Sequence, residues 1–332
     1  MMKFGNKTYL KLIINVGDQS VGCALVRQSR GEKVLILATE RLSYDKELNN
    51  DYSRDSFVVK RTVISLLNSF AKKNPLVAAS VFIVWSLSFT NSELKTFQRK
   101  FEQPFTITNE FLSELIHDEG KKTGDGGHLI ESFVTHTEIS GYPTNSPLLK
   151  SAHSILLSYW RSNVEDNVYN AVLQAVEEAL HRGIESSHSL SLLLYRTIEM
   201  ARKMGDCFMI VHVGRLKAEI IVVKDGGLCG YGYFRIMDES NKPCNLVESF
   251  KSEYTRLQES GALGSGSLRI ILKAHKSDRV GMEDAIKKII HREIPLRYQH
   301  ESDFSHLYDK ISGISTDSML VMGAIICGDG GK

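Results

Sequence analysis

The chain has 332 residues, room for roughly two domains, and its 42% hydrophobic and 24% charged residues are an ordinary globular balance. A net charge of +2 offers no basic excess for nucleic acid, and no apolar run reaches the ~20 residues of a membrane span; the longest, 76–84 and 319–327, suit a buried strand or a core helix. The five cysteines (Cys23, Cys207, Cys229, Cys244, Cys327) are scattered and form no CxxC pair, which argues against a disulfide framework or zinc site and for reduced thiols in a cytoplasm.

Strand residues begin almost at once, with no small-residue cleavage site of a secretory signal. Residues 10–17 read as an apolar strand that meets a turn at Gly17, Asp18, Gln19 and Ser20. Strands over 21–27 and 34–39 follow, separated by a turn around Gly31, and 44–54 is polar and turn-like. Phe57, Val58, Arg61, Ile64, Leu67 and Asn68 predict a helix over 55–72, stopped at Asn74 and Pro75. Residues 76–85 are apolar on both faces, as an interior strand covered by helices on both sides must be. The spacing over 92–100 predicts a further helix.

The texture then changes. Thr108 is placed to cap a helix with acidic residues in its first turns. A Gly/Lys turn spans 121–127, strands are predicted over 129–139 and 151–161, and 141–147 is a rigid loop. One helix and two strands make a small module inserted between the first half and the rest. Val168, Ala171, Val172, Ala175, Val176 and Ala179 stripe an amphipathic helix over 164–181, with Gly183 as its C-terminal cap. Residues 189–195 predict a strand and 197–203 a short helix.

The stretch 207–236 repeats the opening. A strand over 208–213 meets a turn at Gly214, a second over 219–223 ends in Asp225, Gly226 and Gly227, and a third follows. Ile14-Asn15-Val16-Gly17 answers Val211-His212-Val213-Gly214. The shared plan predicts a duplicated domain with two glycine turns facing each other across a cleft. Beyond it come a helix over 245–259 (Leu246, Phe250, Tyr254, Leu257), a strand over 268–272, a helix over 282–291 and a mostly helical end, with Asp317 capping 319–326.

The repeated meander, helix and strand resemble the actin-like ATPase superfamily. Within it, Phe105-Thr106-Ile107-Thr108 with its helix, Ile130-Glu131-Ser132-Phe133-Val134, Ile139-Ser140-Gly141-Tyr142 and Asn145-Ser146-Pro147 look like the insert of the FtsA/PilM branch, whose members act in bacterial cell division and type IV pilus assembly. The resemblance implies an α/β fold of duplicated actin-like (ribonuclease H-like) domains with a small α+β insert in the first half. It divides the chain into a first subdomain, 1–104 and 154–204, an insert, 105–153, and a second subdomain, 205–332.

In that superfamily two hairpin turns grip nucleotide phosphates through backbone N–H groups, where glycine permits close approach. An aspartate at the end of each first strand holds water on Mg²⁺, and a third, glycine-rich turn supports the adenosine. The resemblance therefore places cofactor contacts at Asn15, Gly17, Asp18, Gln19, Ser20, Gly214, Arg215 and Lys217. Yet the two acid positions are Asn15 and His212, the run of small residues is Arg215-Leu216-Lys217-Ala218, and the third turn is Lys273-Ala274-His275-Lys276-Ser277. Loss of both acids implies weak ATP binding or none, no turnover and no resident metal. Gly17 to Ser20 reads first as an ordinary hairpin turn and second as a phosphate cradle. Arg215 and Lys217 read first as charges that close an empty cleft and second as cations replacing magnesium. Gly261, Gly264 and Gly266 follow a helix and precede a strand, the reverse of a dinucleotide fingerprint. His181, His188, Cys207 and His212 lack metal spacing, and no catalytic residue is assigned.

The resemblance implies a cytoplasmic scaffold whose insert is an interaction surface and whose strand edges accept peptides. The end, Cys327 to Lys332, shows no amphipathic membrane helix of the FtsA kind, so membrane contact is expected only through a partner. Expected partners are the cytoplasmic tail of a membrane protein, tubulin-like or pilus machinery, and further copies of the chain, but not nucleic acid. The alternative is an ATP-dependent small-molecule kinase of the same superfamily, with Asp18, Asp206 or Asp225 nominated as base.

Overall fold

A computed structural model describes residues 8–29, 32–45, 52–76, 79–122, 127–144, 146–201, 207–224, 227–238, 242–263, 268–274, 276–290, 296–298, 305–312 and 318–328. Its first strand, β1 (Thr8–Val16), alternates between two faces: Leu12, Ile14 and Val16 enter one core and Ile13 another. Strands β2 (Ser20–Ser29) and β3 (Val34–Ser43) continue it as an antiparallel meander. Helix α1 (Tyr52–Lys73) then crosses over to β4 (Ser80–Trp85), which runs parallel to β1 on its other side. After an excursion, α3 (Asp166–Leu180) leads to β9 (Ser186–Ser189), parallel to β4.

The second unit repeats the scheme. Strands β10 (Phe208–Val213), β11 (Lys217–Lys224) and β12 (Gly227–Arg235) form the meander, α5 (Leu246–Glu259) crosses to β13 (Arg269–Lys273), and α6 (Lys276–Ile290) to β14 (Leu296–Tyr298). The sheet orders are β3-β2-β1-β4-β9, extended by β15 (Tyr308–Lys310) beside β3, and β12-β11-β10-β13-β14. Apart from β15 the two sheets have one topology, which is the duplication expected from the paired Val-Gly turns.

Helices α1 and α3 cover one face of the first sheet, and α5 and α6 the outer face of the second. Between the sheets lie α4 (Leu190–Ala201) and α7 (Ser318–Gly328). They share a single core with Ile13, Ala24 and Val84 of one sheet and Ile210, Ile221 and Ile271 of the other. The described part of α7 is apolar almost all round, as a helix packed on every side must be. Among the described residues the lobes are therefore joined by continuous hydrophobic packing.

The excursion is a third sheet, β5-β8-β6-β7, built from β5 (Thr90–Thr106), β8 (Ser151–Val164), β6 (His128–Ile139) and the short β7 (Tyr142–Pro143), with α2 (Asn109–Lys122) packed against it. Thr108 caps α2 as expected, its Oγ1 accepting the Phe111 N–H at 3.2 Å. The fully buried Trp160 carries the insert into the common core, its ring edge-to-face with Tyr231 at 4.8 Å.

Several local expectations are corrected. The helix expected over 92–100 is part of β5, which pairs with β8 from Thr90↔Val164 to Thr106↔Ser151. Hydroxyl pairs across that ladder, Ser92–Ser162 at 2.9 Å and Thr96–Ser158 at 2.7 Å, reward the extended form. The strand and short helix expected over 189–203 are, as far as Ala201, the end of β9 and the single helix α4, started by Ser189, whose Oγ accepts from the Leu192 N–H at 3.2 Å, while 202 and 203 lie outside the described residues. Helix α3 ends at His181, left-handed with φ 53, and not at Gly183. The C-terminal part contains the short strands β14 and β15 as well as helices. Gly31, residues 123–126, Asp206, Asp225, Gly226, Gly264, Gly266, His275 and Asp317 lie outside the described residues.

Candidate functional site

The two hairpin turns, Gly17–Gln19 after β1 and Gly214–Leu216 after β10, meet. Each is closed by its own backbone bond, Gly17 N to Ser20 O at 2.9 Å and Gly214 N to Lys217 O at 3.0 Å. Asp18 reaches from the first to the second: its Oδ2 accepts the Arg215 backbone N–H at 3.0 Å, and its Oδ1 accepts from Ser86 Oγ in the turn after β4. Gly214 sits under this bridge. A Cβ there would lie 3.1 Å from the Lys217 carbonyl oxygen and 3.3 Å from Asp18 Oδ2, so glycine is what permits the approach.

Below the first turn Asn15 is fully buried. Its Nδ2 donates to the Val84 carbonyl at 3.3 Å, and its Oδ1 accepts from Arg41 Nη2 at 3.2 Å. Arg41 stands opposite Gly22 in the β2–β3 ladder, where a Cβ would lie only 2.7 Å from the guanidinium. The same guanidinium donates to Ser20 Oγ at 2.7 Å. Tyr44 donates its hydroxyl to the Gly17 carbonyl at 2.9 Å. Burial, and then the charge of Asp18, push that hydroxyl above the ordinary phenol range. Gln19 is exposed, its carbonyl accepting the Tyr44 N–H at 3.0 Å.

The second acid position is equally enclosed. His212 is 3% exposed and its Nδ1 lies 2.9 Å from Glu219 Oε1. Glu219 is wholly buried and also accepts from Ser191 Oγ at 2.6 Å and Tyr231 Oη at 3.3 Å. That acid neighbour and burial together raise the Tyr231 hydroxyl well above its usual range, burial being the larger cause. Lys217 turns away from the first turn. Its Nζ donates to the Thr90 carbonyl, lies 3.4 Å from Asn91 Oδ1, and stands 5.5 Å from the centroid of the Tyr233 ring. Burial lowers this amine to about 8, against the opposing pull of Glu219 and Asp18.

Of the residues nominated from sequence, Asp18, Gly214 and Arg215 thus meet at one point. Asn15, Gly17 and Ser20 gather with Arg41 and Tyr44, and Lys217 clamps the start of the insert. Arg41, Tyr44, Ser86 and Glu219 escaped notice. Only Glu219 left a trace, as a lone acid opening an apolar strand. Magnesium-ATP does not fit this arrangement. Neither strand end offers a carboxylate, and the carboxylate between the turns has both oxygens engaged and would repel a polyphosphate. Among the described residues no group of three or more His, Cys, Asp or Glu is placed to hold a metal ion, and no helix is long and apolar enough to cross a membrane.

No protein-family model matches the chain, and no curated protein matches it in sequence. Solved structures do match. The chain is similar to a structure of the PilM–PilN type IV pilus biogenesis complex over 96% of its own length and 98% of that chain, with a TM-score of 0.59 at 9% identity. It also aligns with a protein of actin-like ATPase fold and unknown function from Bacteroides thetaiotaomicron (90% and 94% covered, 14% identity, TM-score 0.44). A third match is the cytoplasmic domain of EpsL, an inner-membrane component of the Vibrio cholerae type II secretion system (97% and 94%, 8%, 0.40). The chain has the actin-like ATPase fold, in a form like that of PilM.

Proposed function

We propose that this chain is a scaffold that recruits protein partners in type IV pilus assembly or cell division, and that it neither depends on ATP nor turns it over. The observation that carries this reading is the sealed junction of the two hairpin turns in a chain matched end to end by the PilM fold. A fold that keeps both lobes but encloses its metal-anchor positions retains its surfaces as working parts. On this reading the chain is cytoplasmic and is held at the inner face of a membrane by the tail of a membrane protein.

The recruiting unit we propose is the insert sheet. Its far end displays Tyr142, 76% exposed, and Leu149, 83% exposed and held at φ 62. A left-handed leucine costs about 1–2 kcal/mol, and such strain concentrates where a side chain must be presented. Backbone bonds from Leu149 N to Ile107 O and from Ile107 N to Lys150 O, both 2.9 Å, hold it there.

Wild-type protein should co-purify with a membrane protein from its own cells. Leu149→Asp, with its circular dichroism unchanged, should weaken that capture by roughly tenfold or more, as loss of an apolar anchor does. A chain that stays alone and diffuse in cells would overturn the reading. So would ATP binding that vanishes in EDTA, or ADP release that depends on a small-molecule acceptor.

A further inference from the structure

We infer that Asp18 is an internal substitute for a bound phosphate: its carboxylate fills an oxyanion site between the lobes and ties the two hairpin turns together without a ligand. This deepens the scaffold reading and rests on it.

The usual role of an aspartate in a hairpin turn is local, accepting N–H groups one or two residues on. Asp18 does something else. Its two oxygens accept from Ser86 Oγ, in the turn after β4, and from the backbone N–H of Arg215, in the other lobe. A backbone N–H at a tight glycine turn, joined by a hydroxyl, is an oxyanion donor set. These donors would serve a phosphate oxygen as well as a carboxylate oxygen. Gly214 keeps the approach open, since a Cβ there would come within 3.3 Å of Asp18 Oδ2. A mobile ligand at such a place would make lobe closure conditional on supply. A carboxylate carried by the chain makes closure permanent.

The inference predicts that removing the carboxylate uncovers the site. Asp18→Ala should lower Tm by a few degrees, about 3 °C, for the loss of a charge-assisted contact. Sodium tripolyphosphate in EDTA should raise the Tm of this variant in a salt-sensitive way and leave wild type unmoved. Asp18→Asn is the second variant. Its amide still fills the space, so it should lose stability without being rescued. Adding Ser86→Ala to Asp18→Ala should weaken the rescue by about tenfold, the worth of one charge-assisted bond. Equal tripolyphosphate shifts in wild type and Asp18→Ala would overturn the inference, as would an Asp18→Ala protein that is fully stable or deaf to the anion. Should Asp18→Ala fail to fold, rescue of Asp18→Asn by the anion would overturn it, and stabilisation of neither Asp18→Asn nor wild type would uphold it. The scaffold reading is judged separately by partner capture, which none of these measurements reads.

Discussion

At the scale of single residues, the two enclosed acid positions differ in how they resist repair. His212 faces Glu219 at 2.9 Å inside the second lobe. His212→Asp sets two carboxylates against each other where neither meets water. Breaking a buried pair in this way costs about 3–5 kcal/mol, so chemical denaturation should show a loss of that order, and wild-type stability would refute the pairing. Lys217 supplies a pH signature. Burial lowers its amine to about 8 in the folded protein, against 10.5 for an ordinary lysine. Between those values the unfolded chain binds the extra proton, so stability rises with pH through that window. Lys217→Met should flatten the rise, as followed by denaturation midpoints from about pH 7.5 to 10.5. Asn15 and His212 were legible because each stands near a strand end, just before a glycine turn. Their partners were not. Arg41 meets Asn15 only because the ladder sets it against Gly22, and Ser86 meets Asp18 across a parallel crossover that no local pattern encodes.

At the scale of elements, the two meanders could be read from short apolar runs bounded by glycine turns, and α1, α2, α3 and α5 from periodicity because each has one wet face. The misread segments have none, or have two. Helix α4 runs Leu190, Leu192, Leu193, Leu194 between two sheets, so its apolar residues lose the 3.6-residue beat and pass for a buried strand. Strand β5 projects into solvent for much of its length and carries charges at spacings a helix also tolerates. Helix α7 makes its closest approach at Gly323, where a Cβ would stand 2.8 Å from Ile13 Cγ2 and 3.1 Å from Val84 Cγ2. Alanine favours a helix over glycine by about 1 kcal/mol, yet forcing a methyl into a packed core costs about 1–3 kcal/mol. Gly323→Ala is therefore expected to destabilise, read as a lowered denaturation midpoint at unchanged slope; a stabilised variant would show that α7 rides higher on the sheet than described.

At the scale of the whole molecule, the chain leaves the first lobe at α4, builds the second, and returns. Strand β15 adds to the first sheet beside β3, and α7 closes the face shared by Ile13, Ala24 and Val84. That return has a consequence in time. A ribosome delivers β1 to α4 well before Ser318, so the nascent first lobe emerges with the part of its sheet that α7 covers still open. Domains that fold as they are made normally do so from the N-terminus onward; this one must wait for residues made after the entire second meander. The core that α7 shares with both sheets is thus the last part of the molecule that can close.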